Sequence, residues 1–224
     1  MSNYCNEYFS NIGIKMLSKI KTPKNKFKFQ YSATSSMFLS PVNNKELIEH
    51  ISSLKNNCAA GPDGISSAII KKFHLYFIEP LRHIINLSFK TGHVPSYFKT
   101  AIVTPIFKSG DPHLVNNYRP ISVINNFSKI FEKCLKNRLQ NFFKVNHILS
   151  DNQFGFREGL STTDAILEFT KKVTNCLDSG TNCLAVFLDL AKAFDTVPHS
   201  TLLNVLNSYG GTWYRLKSVF QLLE

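Results

Sequence analysis

The residue best placed for chemistry is an acid that ends an apolar run. In Cys183-Leu-Ala-Val-Phe-Leu-Asp-Leu-Ala-Lys-Ala-Phe-Asp-Thr-Val-Pro198, six apolar residues stop abruptly on Asp189. A run this short, without alternation and bounded by Ser179-Gly180 and Pro198, predicts a strand covered on both faces rather than a helix. A carboxylate at the mouth of such a strand has the rigidity that divalent-metal ligation requires. The same placement also suits a helix cap or a solvated turn residue.

Two cations form the second group. Ala101-Ile-Val-Thr-Pro-Ile-Phe107 and Tyr118-Arg-Pro-Ile-Ser-Val-Ile124 read as two short strands of an antiparallel hairpin. Pro105 and Pro120 each lack a ladder donor, which predicts an edge or a strand start for both. Lys108 follows the first strand and Arg119 opens the second, so the pair suits a triphosphate, with a forked guanidinium and a point charge. As surface residues they would equally be solubility charges. A third group, Gln153-Phe-Gly-Phe-Arg-Glu-Gly159, carries two aromatics and Arg157, which suit stacking on a nucleic-acid strand or anchoring in a core.

These residues must be positioned by the rest of a chain of 224 residues, 43% of them hydrophobic, enough for a substantial core. Lys and Arg number 26 against 15 Asp and Glu, and the net charge of +11 favours a polyanionic partner, nucleic acid before an anionic membrane surface. Five cysteines, odd in number and without metal-ligand spacing, argue against a disulfide framework or a zinc site and fit a reducing, intracellular setting. No apolar run approaches the roughly 18 residues of a membrane span, and the start lacks the regions of a signal peptide.

Periodicity predicts a helix over residues 4–20 followed by a basic linker, Lys19 to Lys28, that reads as a solvated tail or a phosphate-binding arm. Asn43-Asn-Lys-Glu46 resembles a capping box that starts a helix ending near Asn57. Cys58-Ala-Ala-Gly-Pro-Asp-Gly64 is a turn, and helical faces follow through Ile65–Phe73 and from Pro80 to Gly92. Ile130, Phe131, Cys134 and Leu135 mark a helix whose remainder, with Lys129, Lys133, Lys136 and Arg138, reads as a solvated basic face. Ser161-Thr-Thr-Asp164 caps another helix, and Ser200 is placed to cap one more.

Four segments, in order, resemble the reverse transcriptases of non-LTR retrotransposons, particularly jockey-like elements. They are Ala59-Ala-Gly-Pro-Asp-Gly-Ile65; then Pro105-Ile-Phe-Lys-Ser-Gly-Asp111 with Asn117-Tyr-Arg-Pro-Ile-Ser122 and Lys129-Ile-Phe-Glu132; then Gln153-Phe-Gly-Phe-Arg157; and last Val186-Phe-Leu-Asp-Leu-Ala-Lys-Ala-Phe-Asp195. Asn6-Glu-Tyr-Phe9 is similar to the stretch that precedes the polymerase in such elements.

The resemblance implies an α+β, right-hand polymerase fold, with residues 1–42 as an N-terminal helix and linker and 43–224 as a truncated reverse transcriptase domain. The fingers would occupy about 43–150 and an incomplete palm about 151–224. It implies that Asp189 is the first catalytic aspartate and, with the Leu190 carbonyl, a ligand of two Mg2+ ions. Phe194 would gate the nucleotide sugar, Lys108 and Arg119 would hold the incoming deoxynucleoside triphosphate, and Gln153, Gly155 and Arg157 would support the template or active site. RNA template and DNA primer are the implied partners, with no membrane. Asp195 belongs to the motif without being an implied ligand.

The family's aromatic-x-Asp-Asp hairpin and the Gln-Gly-containing segment before it have no counterpart here, and no Asp-Asp pair occurs anywhere. The expectation is a fragment of an element's reading frame, inactive alone, or alternatively a non-catalytic nucleic-acid-binding remnant.

Overall fold

The computed structural model describes residues 2–18, 36–56, 58–190, 192–194 and 196–210. The basic linker, Asp195 and the stretch after Gly210 lie outside the described residues. Two compact units are present, one formed by Met1–Phe142 with Phe194–Glu224 and the other by Phe143–Ala193.

In the first unit, α1 (Ser2–Leu17) occupies the predicted N-terminal stripe and buries Ile12. Asn43 caps α2 (Asn44–Ser52) by accepting a hydrogen bond from the Glu46 N–H at 2.9 Å. The reciprocal half of the predicted capping box is absent because Arg138 takes the Glu46 carboxylate instead. Ser66 caps α3 (Ser67–Lys72), and α4 (His74–Thr91) stops at Gly92, whose φ of 69° closes the helix as glycine readily does. Pro80 lies inside α4 on its exposed side, not in the first turn where the sequence suggested it.

A short α5 (Ser96–Lys99) leads into the hairpin of β1 (Ala101–Phe107) and β2 (Tyr118–Ile124), antiparallel as predicted, with Phe107 opposite Tyr118 and Ala101 opposite Ile124. Pro105 sits directly across from Pro120. The Lys108 N–H donates to the Asn117 carbonyl at 2.8 Å, which fixes the alternation of bonded and non-bonded rungs. Both prolines thereby fall on a non-bonded rung, where N–H groups point away from the partner, so the ladder loses nothing.

The core of this unit lies between α2, α3, α4 and α6 (Asn126–Val145), whose stripe of Ile130, Phe131, Cys134 and Leu135 is fully enclosed. In α8 (His199–Ser208), Leu203 and Leu206 pack against it; this helix starts directly after Pro198, one residue before the predicted Ser200 cap.

Two polar junctions lock the elements. Gly61 packs against the end of β2 so closely that a Cβ there would stand 2.4 Å from the Asn125 Cα. Buried Asn125 accepts from the Ser128 N–H (2.7 Å) and hydroxyl (2.8 Å), capping α6, and donates to the Tyr97 carbonyl (2.8 Å). Its neighbour Asn126 donates to the Ile65 carbonyl at 2.8 Å. Arg138 makes the other junction: it pairs with both Glu46 oxygens, donates to the Ser40 and Pro41 carbonyls at 3.1 and 3.2 Å, and lies 5.6 Å from the Phe89 ring centre. The basic face of α6 is therefore not wholly solvated, because a carboxylate on α2 and an aromatic on α4 claim one of its cations.

In the second unit, α7 (Thr162–Asp178) begins with the predicted capping box, Ser161 and Asp164 satisfying each other's backbone N–H. The predicted strand at 183–189 is not formed. Residues 181–190 are neither helix nor strand and all are exposed, Leu184 and Leu188 to 90%. A strand exists only where neighbours take up its N–H and C=O groups, and the sheet among the described residues has two strands, β1 and β2. The apolar run carries the composition of a buried strand without the partners that would make it one.

The Arg138 junction gives the fold an acid limit. Burial would raise the Glu46 carboxyl, but the hydrogen bond and charge of Arg138, with His50, outweigh it and hold the group below its ordinary 4.5. Burial likewise holds His50 below its ordinary 6.5, against the pull of Glu46. Both groups bind protons more weakly folded than unfolded, so both contribute stability above their ordinary values that is lost as pH falls. The melting temperature should decline once pH drops below 6.5, and decline further below 4.5. His50→Asn should flatten the upper limb of that decline in thermal melts; an unchanged slope there contradicts the assignment.

Candidate functional site

The hairpin sets Lys108 and Arg119 on one face. Arg119 pairs across the ribbon with Ile106, and Lys108, two residues after Ile106, continues the same side. The two are diagonal neighbours, a relation that spans roughly 7–8 Å in an antiparallel pair. Both side chains are exposed and have no hydrogen-bond or ion-pair partner among the described residues. The opposite face is closed by the Phe107 and Tyr118 rings, 5.3 Å apart.

The loop between the strands is built from its own polar groups. Asp111 accepts from the His113 N–H at 2.9 Å, Asn117 donates to the Asp111 carbonyl at 2.9 Å, and the Tyr118 hydroxyl donates to the Pro112 carbonyl at 2.9 Å. Gly110, at φ 94°, turns the chain where a side chain would be strained. Ser109-Gly110-Asp111 thus aims the loop while leaving the cationic face open.

In the second unit, Gln153, Gly155 and Arg157 fold into one turn. Gln153 donates to the Gly155 carbonyl at 3.2 Å, and Arg157 donates to the Ser150 carbonyl at 2.8 Å. Arg157 acts here as an internal tie. Phe156 is left 86% exposed at φ 61°, above a hollow of about 300 Å3 that Phe154, Leu160 and Ala165 help to line. Of the two aromatics in this turn, Phe156 is the one presented outward.

Asp189 and Leu190 lie on the exposed 181–190 segment. The Asp189 carboxylate has no partner among the described residues and belongs to no cluster of three or more potential ligands. A site for two ions draws on several carboxylate oxygens, and no such cluster forms around Asp189 among the described residues. Phe194 is 83% exposed, in the turn that follows Lys192.

A different trio does converge: ligand atoms of Glu46, His50 and Cys134 lie within 4.8 Å of one another. It makes a poor metal centre, since Arg138 already neutralises Glu46 and burial pushes the Cys134 thiol up to about 12, far from the thiolate a metal needs. Sequence spacing gave no sign of this trio, which α2 and α6 bring together at the edge of the core.

Residues 106–220, just over half of the chain, match the reverse transcriptase (RNA-dependent DNA polymerase) family, and the chain belongs to that family. It is 34% identical over 170 residues to the probable RNA-directed DNA polymerase from transposon BS of Drosophila melanogaster, covering 75% of this chain and 19% of that protein. It is 31% identical over 164 residues to the counterpart from the X-element (73% and 18%) and 30% over 169 residues to the jockey enzyme (75% and 18%), both of the same fly. The chain therefore spans less than a fifth of the length of the curated relatives it matches. The resemblance to non-LTR retrotransposon polymerases is thus a family relationship. Reverse transcriptases generally use divalent metal ions and act on RNA templates and nucleotides. Among the described residues no helix is long and apolar enough to cross a membrane.

The state of the Asp189 segment can be measured. Backbone amides of 184–189 should exchange with solvent at nearly unprotected rates, while those of 130–135 in α6 exchange only through global opening. Comparable protection of the two stretches in hydrogen-exchange mass spectrometry would show that the apolar run is paired.

Proposed function

We propose that this chain is the nucleotide-gripping and first-aspartate portion of an RNA-directed DNA polymerase of a non-LTR retrotransposon. The observation that carries the proposal is the shared face of Lys108 and Arg119 on a hairpin whose sequence resembles the segment that holds the incoming triphosphate in such polymerases. On this reading residues 43–150 are fingers and the palm begins at about 151. RNA template, DNA primer and deoxynucleoside triphosphates are the substrates.

Each group then has a task. Lys108 and Arg119 hold phosphate oxygens of the incoming nucleotide, the guanidinium by a fork and the ammonium as a point charge. Phe194 lies under the sugar and excludes a 2′-hydroxyl. The Gln153–Arg157 turn supports the template side. Asp189 and the Leu190 carbonyl would be ligands of two Mg2+ ions, which when bound activate the primer hydroxyl and stabilise the leaving pyrophosphate. The exposed apolar run before Asp189 fits a central palm strand whose neighbours come from the remaining length of such polymerases.

A second reading, a nucleic-acid binder without catalysis, is favoured by one observation: the net charge of +11. These 224 residues, among which no Asp-Asp pair occurs, should not extend a primer by themselves. A chimera separates the readings. When this chain replaces the matching stretch of the jockey polymerase, primer extension should survive, Asp189→Ala should abolish it, and Phe194→Ala should admit ribonucleotides. Extension undiminished by Asp189→Ala would contradict the proposed role.

A further inference from the structure

A cavity of about 580 Å3 opens between the turn after α2 and the start of α6, on the first unit. Its size is in the ordinary range for ligand sites. Four lysines line it, Lys55 from the turn and Lys129, Lys133 and Lys136 from α6, against a single acid, Glu132. The α6 lysines follow an i, i+4, i+7 pattern, which puts them in one stripe along the helix.

The lysines are partly held in place. Lys133 donates to the Ser53 hydroxyl at 2.6 Å and Lys129 to the Asn126 side-chain oxygen at 3.1 Å. Burial holds the Lys133 ammonium below its ordinary value, and repulsion from Lys136 and Lys71 adds to the effect. So many like charges around one hollow oppose each other unless an anion neutralises them, and a concave, low-dielectric wall strengthens the field they make.

We propose that this lysine-lined cavity binds consecutive backbone phosphates of a single-stranded nucleic acid, as a site separate from the hairpin that faces the nucleotide. The stripe decides between a strand and a compact anion. Seven residues of α6 cover about 10 Å, a row of charge that suits an extended chain of phosphates better than one compact anion. Lysine point charges carry no sequence information, so binding is indifferent to base. The choice of nucleic acid rests on the polymerase reading above; the cavity and its charge do not.

The test uses the full chain and a fluorescently labelled poly(U), with affinity followed by polarisation between about 50 and 200 mM salt. Replacing Lys129, Lys133 and Lys136 by Gln should weaken binding at least about tenfold and lower the slope of log K against log salt by about 2, near 0.7 for each lost contact. Lys45, Lys90 and Lys99, exposed elsewhere on the same unit, serve as a control triple with the same charge loss. If the control triple lowers affinity and slope equally, net charge alone binds and the site is refuted.

An unchanged slope in the α6 triple, or no binding of poly(U) by the parent chain, also overturns the proposal. Lys133→Gln alone, read by the same slope, decides the matter if the triple does not fold. Its slope should fall by about 0.7. Inorganic tripolyphosphate at equal phosphate concentration should compete poorly; full displacement would assign the cavity to a compact anion instead. The polymerase reading is tested by primer extension in the chimera and this site by the salt slope of poly(U) binding, so failure of one and failure of the other give different results.

Discussion

Gly61 has no side chain because the Asn125 backbone stands where one would be, 2.4 Å from the position of a Cβ. That contact joins the Gly-Pro-Asp-Gly turn to the end of β2, and the hairpin takes its place from it. Asn125 extends the junction by capping α6 and holding the Tyr97 carbonyl, while Asn126 holds the Ile65 carbonyl. One turn, one strand end, the residue before the α3 cap and two helices, α5 and α6, meet at these residues. Lys108 and Arg119 are surface residues, yet the hairpin that carries them is anchored by a buried junction in which Asn125 bonds locally to Ser128 and, across 28 residues, to the Tyr97 carbonyl.

The positive charge of the chain is divided among distinct tasks. Arg138 commits its guanidinium to the half-buried Glu46 and to two carbonyls, where the planar fork suits several acceptors at once. Lys129, Lys133 and Lys136 lie on the same helix but converge on a hollow with one carboxylate. Lys108 and Arg119 have no ion-pair partner among the described residues. A net charge of +11 is therefore partly structural and partly available to phosphate.

Much of this was legible in the residues. Two short apolar runs on either side of a Ser109-Gly110-Asp111 loop predicted the hairpin, whose register then placed both prolines on a rung where they cost nothing. The Ser161 and Asp164 box was read correctly because its hydrogen bonds are local. The Glu46 half of the first box failed for the opposite reason: Arg138, 92 residues away, is the better partner. The strand before Asp189 failed in the same way, since apolar composition says a segment wants cover but not whether pairing neighbours are present. The α6 lysines read as a solvated face because the turn opposite them, with Lys55 and Ser53, becomes their neighbour only through folding.

The central claim is that the hairpin face receives a nucleoside triphosphate, and amide NMR of the isotopically labelled chain tests it most directly. Titration with a deoxynucleoside triphosphate should shift the amides around Ile106–Gly110 and Tyr118–Ile121, and Lys108→Gln with Arg119→Gln should remove those shifts. Shifts confined to the α6 cavity, or hairpin shifts that survive the double substitution, would contradict the account.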